Sequence, residues 1–160
     1  VQALNSVSIA QRPHPNGGLA SVAAPDVSLI QANLQWQGRS DVPVPAQVSL
    51  SSVSRCGRGY CLDITGSDGS LVLSSSNQKD YVHGFELQHA PLGEGLREVP
   101  LDADLAFKQT WSDGRIAPVA RVLGWWADSI RSGNPMIPGL AEGVVSRDVC
   151  DRVEASLSHT

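Results

Sequence analysis

CGRGYCLDITGSDGSLVLSS, residues 56–75, is the stretch that decides the fold class. Residues 60–65 and 70–75 are short strand-like runs on either side of Ser67-Asp68-Gly69. Gly tolerates positive φ and Asp favours turns, so the run predicts a β-hairpin with that triplet at its tip. Two other chemistries have to be weighed against it. Cys56 and Cys61 are spaced as in some zinc clips. A structural zinc site needs four ligands, however, and no second pair follows with suitable spacing. On a strand the two thiols would also point to opposite faces. No metal site is expected. Gly57-Arg58-Gly59 supplies a G-x-G, but a dinucleotide loop follows a strand and opens a helix, whereas a strand follows this one.

Working outward, the N-terminal side is also strand-rich. VQALNSVSIA (residues 1–10) mixes apolar and small polar residues, and RPHPNGG (residues 12–18) is a loop by composition. Val27, Leu29, Ala32, Leu34 and Trp36 nearly alternate, with a slip at Ile30, which predicts a half-buried strand carrying a bulge. QGRSDVPVP (residues 37–45) reads as a turn-rich connection, and alternation resumes at Ala46, Val48 and Leu50. On the C-terminal side, residues 85–89 and 96–101 are further strands, separated by the turn PLGEG.

After Asp104 the period changes. Ile116, Val119, Ala120, Leu123, Ala127 and Ile130 form one apolar stripe at helical spacing. Ser112 or Asp113 is placed to cap its start, Pro118 fits the first turn, and Gly133 is placed to end it. A second helix is predicted over residues 140–157, with Val145, Val149, Val153 and Leu157 toward a sheet. Strands first and two helices last, without β-α-β alternation, predict an α+β fold: an open, mostly antiparallel β-sheet with two C-terminal helices packed on one face. The 160 residues are expected to form a single domain, 1–160.

Composition narrows the function. The formal net charge is −4 and no block of Lys or Arg occurs, which excludes a nucleic-acid stripe. No stretch approaches the ~20 apolar residues that a membrane helix needs. The first residues lack a basic run followed by an apolar core, so no leader is expected. The odd count of 3 cysteines reads as reduced thiols in a cytoplasmic protein. His14, His83, His89 and His159 have no visible nucleophile or carboxylate partner and read as surface or packing residues. Trp126 is expected in the core and Trp125 at an interface with another chain or domain. TWSDGR (residues 110–115) brings Trp111, Asp113 and Arg115 into one loop before a helix. Those three are candidate substrate contacts, or else a helix cap with a surface salt bridge.

Two stretches together resemble the Gfo/Idh/MocA oxidoreductases. LDITGSDGSLVLSS (residues 62–75) is similar to that family's strand-turn-strand E-V-x-G-x-x-G-x-L. Residues 114–157 are similar to its C-terminal tail, where a helix ending in a G-x-P turn precedes a loop and a last helix. Here the turn is Gly133-Asn134-Pro135, and Leu140-Ala141-Glu142-Gly143 opens the last helix. The resemblance covers residues 20 to the end. It implies the C-terminal α+β domain of an NAD(P)-dependent oxidoreductase acting on a sugar or polyol. That domain shapes the substrate pocket and forms a homo-oligomer through its outer sheet face. The family's glycine-rich cofactor loop, its Glu-Lys-Pro segment and its Asp-x-x-x-His helix have no counterpart in these residues. No catalytic and no cofactor-binding residue is therefore carried over, and the chain alone is expected to be inactive and not to bind NAD(P). Cys61 and Leu62 stand where relatives often place a substrate-facing polar residue, so none is assigned there. A free-standing dimerising or ligand-binding module is the alternative.

Overall fold

The computed structural model describes residues 1–36, 39–100 and 102–157. The chain divides into two compact units, one of residues 1–55 with 137–160 and one of residues 56–136. The class is α+β, as the order of elements predicts.

The first unit contains β1 (Gln2–Ser6), the short ribbon β2 (Gln11–Pro13) and β3 (Leu19–Ser21), and the long strands β4 (Val27–Trp36) and β5 (Arg39–Ser51). β1, β4 and β5 form one antiparallel sheet with β4 in the middle. The predicted slip at Ile30 does not occur. Ile30 pairs Val48 in regular register, and the irregularity lies further on, between Leu34 and Trp36. In this register Leu29 has an apolar partner of its own, Leu4 on β1. Opposite residues share a face. One face therefore carries Ala3, Ile30, Ala32, Leu34, Val44, Ala46, Val48 and Leu50. The other carries Gln2, Gln31, Gln47 and Asn33, together with the Leu4–Leu29 pair. Residues 39–45, expected as a connection, belong to β5. Pro43 and Pro45 are tolerated because β5 is an edge strand, with one side free of ladder bonds.

Asp26 ties this unit together. It is 5% exposed. Its carboxylate accepts the Ser8 and Ile9 N–H groups at 2.7 and 2.9 Å, and Arg12 lies 3.5 Å away. Its own N–H donates to the Ser6 carbonyl, and its carbonyl accepts the Ser52 N–H. The exits of β1 and β5 are thereby fastened to the entry of β4. The Ser8 amide is the main reason the carboxyl sits below its ordinary range.

The helix α2 (Leu140–Leu157) runs as predicted and lies against β1. Ala3 and Asn5 are half-buried while Leu4 is exposed, which places the helix on the Ala3 side. Val153 is half-buried, but Val145 and Val149 remain exposed. The side chain of Leu157 lies outside the described residues. Glu142 accepts the Gly139 N–H at 2.7 Å and closes the helix start.

The second unit holds the predicted hairpin. β6 (Tyr60–Gly66) and β7 (Gly69–Ser75) pair from Tyr60↔Ser75 to Gly66↔Gly69, leaving Ser67-Asp68 as a two-residue turn. β8 (Glu86–Pro91) and β9 (Arg97–Glu98) extend the sheet in order. Leu62, Leu73 and Leu87 form a row across one face, and Cys61, Ser74 and Glu86 form a row across the other.

The helix α1 (Ile116–Ser132) ends at Gly133, whose φ of 72° lets its N–H reach the Ser129 carbonyl. Its buried side is not the predicted stripe. Ala117, 2% exposed, is the buried hydrophobic residue among those described. Trp126, expected in the core, is 56% exposed, and Ile130 is 68% exposed. The small Ala117 permits close approach. Arg121 then holds the helix by donating to the carbonyls of Leu105 and Ala106 at 2.9 and 2.8 Å and stacking on Phe107. Periodicity told which residues share a face, not which face is covered.

Candidate functional site

The turn before α1 is built by Asp113. Its Oδ1 accepts the Arg115 N–H at 3.0 Å, and its carbonyl accepts the Ile116 N–H. This Asx turn replaces a side-chain cap on the helix itself. The Arg115 guanidinium then closes on the same carboxylate through two bonds, Nε at 2.9 Å and Nη2 at 2.7 Å. The Arg115 side-chain bonds pull the Asp113 carboxyl down to about 2, with the Arg115 backbone N–H second, and the carboxylate raises Arg115 in turn. Both side chains stand well out in solvent. Asp113 and Arg115 are thus brought together, while Trp111 is exposed beside them in sequence.

A second loop, residues 76–84, meets this turn. Gly114 packs against Asp80, and a Cβ at residue 114 would run into the Asp80 side chain. The Asp80 carboxylate accepts the N–H groups of Val82 and His83 at 3.0 Å, and the His83 imidazole lies 3.5 Å away. Those amides, His83 first, hold the carboxyl below its ordinary range. The Asp80 carbonyl accepts the Gly84 N–H at 2.9 Å. The loop so folded lines up three aromatic rings. Tyr81 stacks on Phe85 and Phe85 packs on Tyr60, with centroids 5.7 Å apart in each pair. This row is not legible in the sequence, because Tyr60, Tyr81 and Phe85 follow no single period.

Beside Tyr60 opens a cavity of about 350 Å³, lined among others by Arg58, Cys61, Ser74, Gly84 and Glu86. This is the low end of small-molecule sites. A larger, open concavity of about 570 Å³ lies on the polar face of the first sheet, around Gln31, Asn33 and Gln47.

The residues of the opening run do not fit a dinucleotide phosphate. Gly59 has φ 80°, and the space a Cβ would need there is filled by the Ser75 carbonyl. Its glycine serves the close approach of β6 to β7 rather than a ligand. Among the described residues no three His, Cys, Asp or Glu side chains gather as a metal site would require, and no helix is long and apolar enough to cross a membrane.

Fold and site together define an α+β segment with open sheets and a small polar cavity. No known family's profile matches the chain, and no solved structure matches it. A protein of Synechocystis, named an uncharacterized oxidoreductase, is 43% identical to it over 148 residues. The match covers 91% of this chain but 38% of that relative. The chain is thus a relative of part of a protein that carries the name oxidoreductase.

Proposed function

We propose that the chain is the substrate-pocket and oligomerisation domain of an NAD(P)-dependent oxidoreductase of the Gfo/Idh/MocA type, acting on a sugar or polyol. The observation that carries this is the 43% identity to a named oxidoreductase over little more than a third of that protein's length. A relative matched over that share leaves ample room for a separate cofactor-binding part. The hairpin and the C-terminal pair of helices, in the order the resemblance requires, support it further. Trp111, Asp113 and Arg115 would contact substrate at the start of α1, and NAD(P) would be held by residues outside this chain. Leu34, Val44, Val48 and Leu50 stay exposed on β4 and β5, on the face where α2 lies against β1, and this uncovered part supports association with a second copy.

Titration of the 160-residue chain with NADH, followed by fluorescence, tests the division of labour. No saturable binding is expected. Saturation at micromolar NADH would place a cofactor site in this chain and overturn the proposal.

A further inference from the structure

β6 is an edge strand: it pairs with β7 on one side, and among the described residues no strand pairs with the other. The direction of its backbone groups follows from the ladder. The Val99 N–H donates to the Leu87 carbonyl, so Leu87 turns its backbone toward β9. Successive residues of an antiparallel strand turn their N–H and C=O to alternate sides, and opposite residues exchange both bonds or neither. Leu73, opposite Leu87, therefore turns to β6, and Leu62, opposite Leu73, turns to β7. That leaves the N–H and C=O of Cys61, Asp63 and Thr65 pointing outward along an edge whose 7 residues are all exposed. Natural edges are blunted by proline, lysine, a bulge or shortness. β5 carries Pro43 and Pro45, and β9 has 2 residues. β6 has none of these protections: it contains no Pro or Lys, and its register with β7 is unbroken.

We propose that β6 pairs antiparallel with β6 of a second copy about a two-fold axis at Leu62, an interface separate from the apolar face of the first sheet. The outward groups restrict the register, because Cys61, Asp63 and Thr65 of one copy must oppose those of the other. Centring on Cys61 or Thr65 leaves only residues 60–62 or 64–66 paired. Centring on Asp63 sets two carboxylates directly opposite, which is destabilising, and sets Gly66 opposite Tyr60. Centring on Ile64 sets Gly66 opposite Leu62. Centring on Leu62 avoids all of this. Asp63 then faces Cys61 of the second copy, Tyr60 faces Ile64, and Leu62 faces Leu62. Apolar partners meet across the junction on the face that already carries Leu73 and Leu87. A second copy is the occupant because the strand complements itself in both apolar pattern and charge.

Cross-linking reads the register. Facing residues that exchange no bonds have Cα atoms about 4.5 Å apart, so cysteines at residue 62 of the two copies are within reach of a disulfide. The two copies of residue 64 stand about 14 Å apart, out of reach. The 160-residue chain is prepared with Cys56→Ser, Cys61→Ser and Cys150→Ser, all at exposed positions, and one cysteine is returned as Leu62→Cys or Ile64→Cys. Oxidation by copper phenanthroline is followed on non-reducing gels. Leu62→Cys is expected to form a covalent dimer more than about tenfold faster than Ile64→Cys. Asp63→Pro removes an outward N–H, which an edge strand tolerates, and should lower the Leu62→Cys rate to that of Ile64→Cys. Val48→Lys with Leu50→Lys, on the first sheet, should leave the Leu62→Cys rate unchanged. Equal rates at the two positions, faster reaction at Ile64→Cys, or a Leu62→Cys rate that falls with the lysine pair overturns the proposal. So does hydrogen exchange in which the Cys61, Asp63 and Thr65 amides of the unmodified protein stay protected at every dilution, because the chain itself then covers the edge.

Discussion

Asp113 is, at the residue scale, the group whose geometry is most fully defined. Spacing offers it both as a substrate contact and as a cap with a surface ion pair, and in the fold its carboxylate closes a turn with Arg115. Its titration follows from that geometry. The folded carboxyl sits at about 2, below its ordinary 3.8. A depressed carboxyl contributes above its ordinary value and loses that contribution as pH falls through the folded value. The window of loss therefore runs from about 3.8 down to about 2. A carbon-detected NMR titration should show the Asp113 carboxyl shift with its midpoint near the lower end, and Arg115→Ala should return the midpoint toward 3.8. A midpoint at the ordinary value in the unmodified protein would refute the ion pair. Neither Asp80 nor the aromatic row was legible beforehand. Asp80 is recruited by the backbone of its own loop, and Tyr60 and Phe85 meet across 25 residues of chain, a contact only folding creates.

At the scale of elements, the hairpin of β6 and β7 was the most legible feature. Its turn chemistry and its two flanking strands are local. Its two glycines nevertheless have different jobs. Gly69 adopts φ 149°, and a Cβ there would strike the Ala90 carbonyl of β8. Gly66 has only the Gly69 carbonyl nearby, at 3.8 Å. Gly69→Ala is expected to destabilise the protein by about 1–3 kcal/mol through forced backbone strain. Gly66→Ala should stay within about 0.5 kcal/mol. Chemical denaturation of both variants measures the contrast, and equal losses would contradict it. The helices were legible in extent for the same reason: Gly133 and the residue 140 boundary are local signals. Their buried faces were not, because cover depends on a partner element. Arg121, polar and inside the helical pattern, turned out to be the anchor of α1.

For the whole molecule, the balance of surface matters more than any contact. Among the described hydrophobic residues only Ala117 is buried, while Leu34, Val44, Val48 and Leu50 lie open on one sheet face. Apolar area left in water favours association by about 25 cal/mol per Å² covered. The protein is expected to sediment above its monomer mass, and Val48→Lys with Leu50→Lys should shift it toward monomer. A monomer that stays monomeric at high concentration, with or without the lysines, would rule out this face as an interface. The sequence by itself determined the α+β class, the hairpin and the extents of both helices. Hydrophobic period, turn residues and caps act within a few residues of one another. Only the tertiary structure decided that Ile30 keeps its register, that Pro43 and Pro45 sit on an edge strand, and that Arg58, Tyr60 and Glu86 line one cavity. Those outcomes depend on which distant segment lies alongside, and pairing across strands is set by the summed fit of whole elements rather than by any local signal.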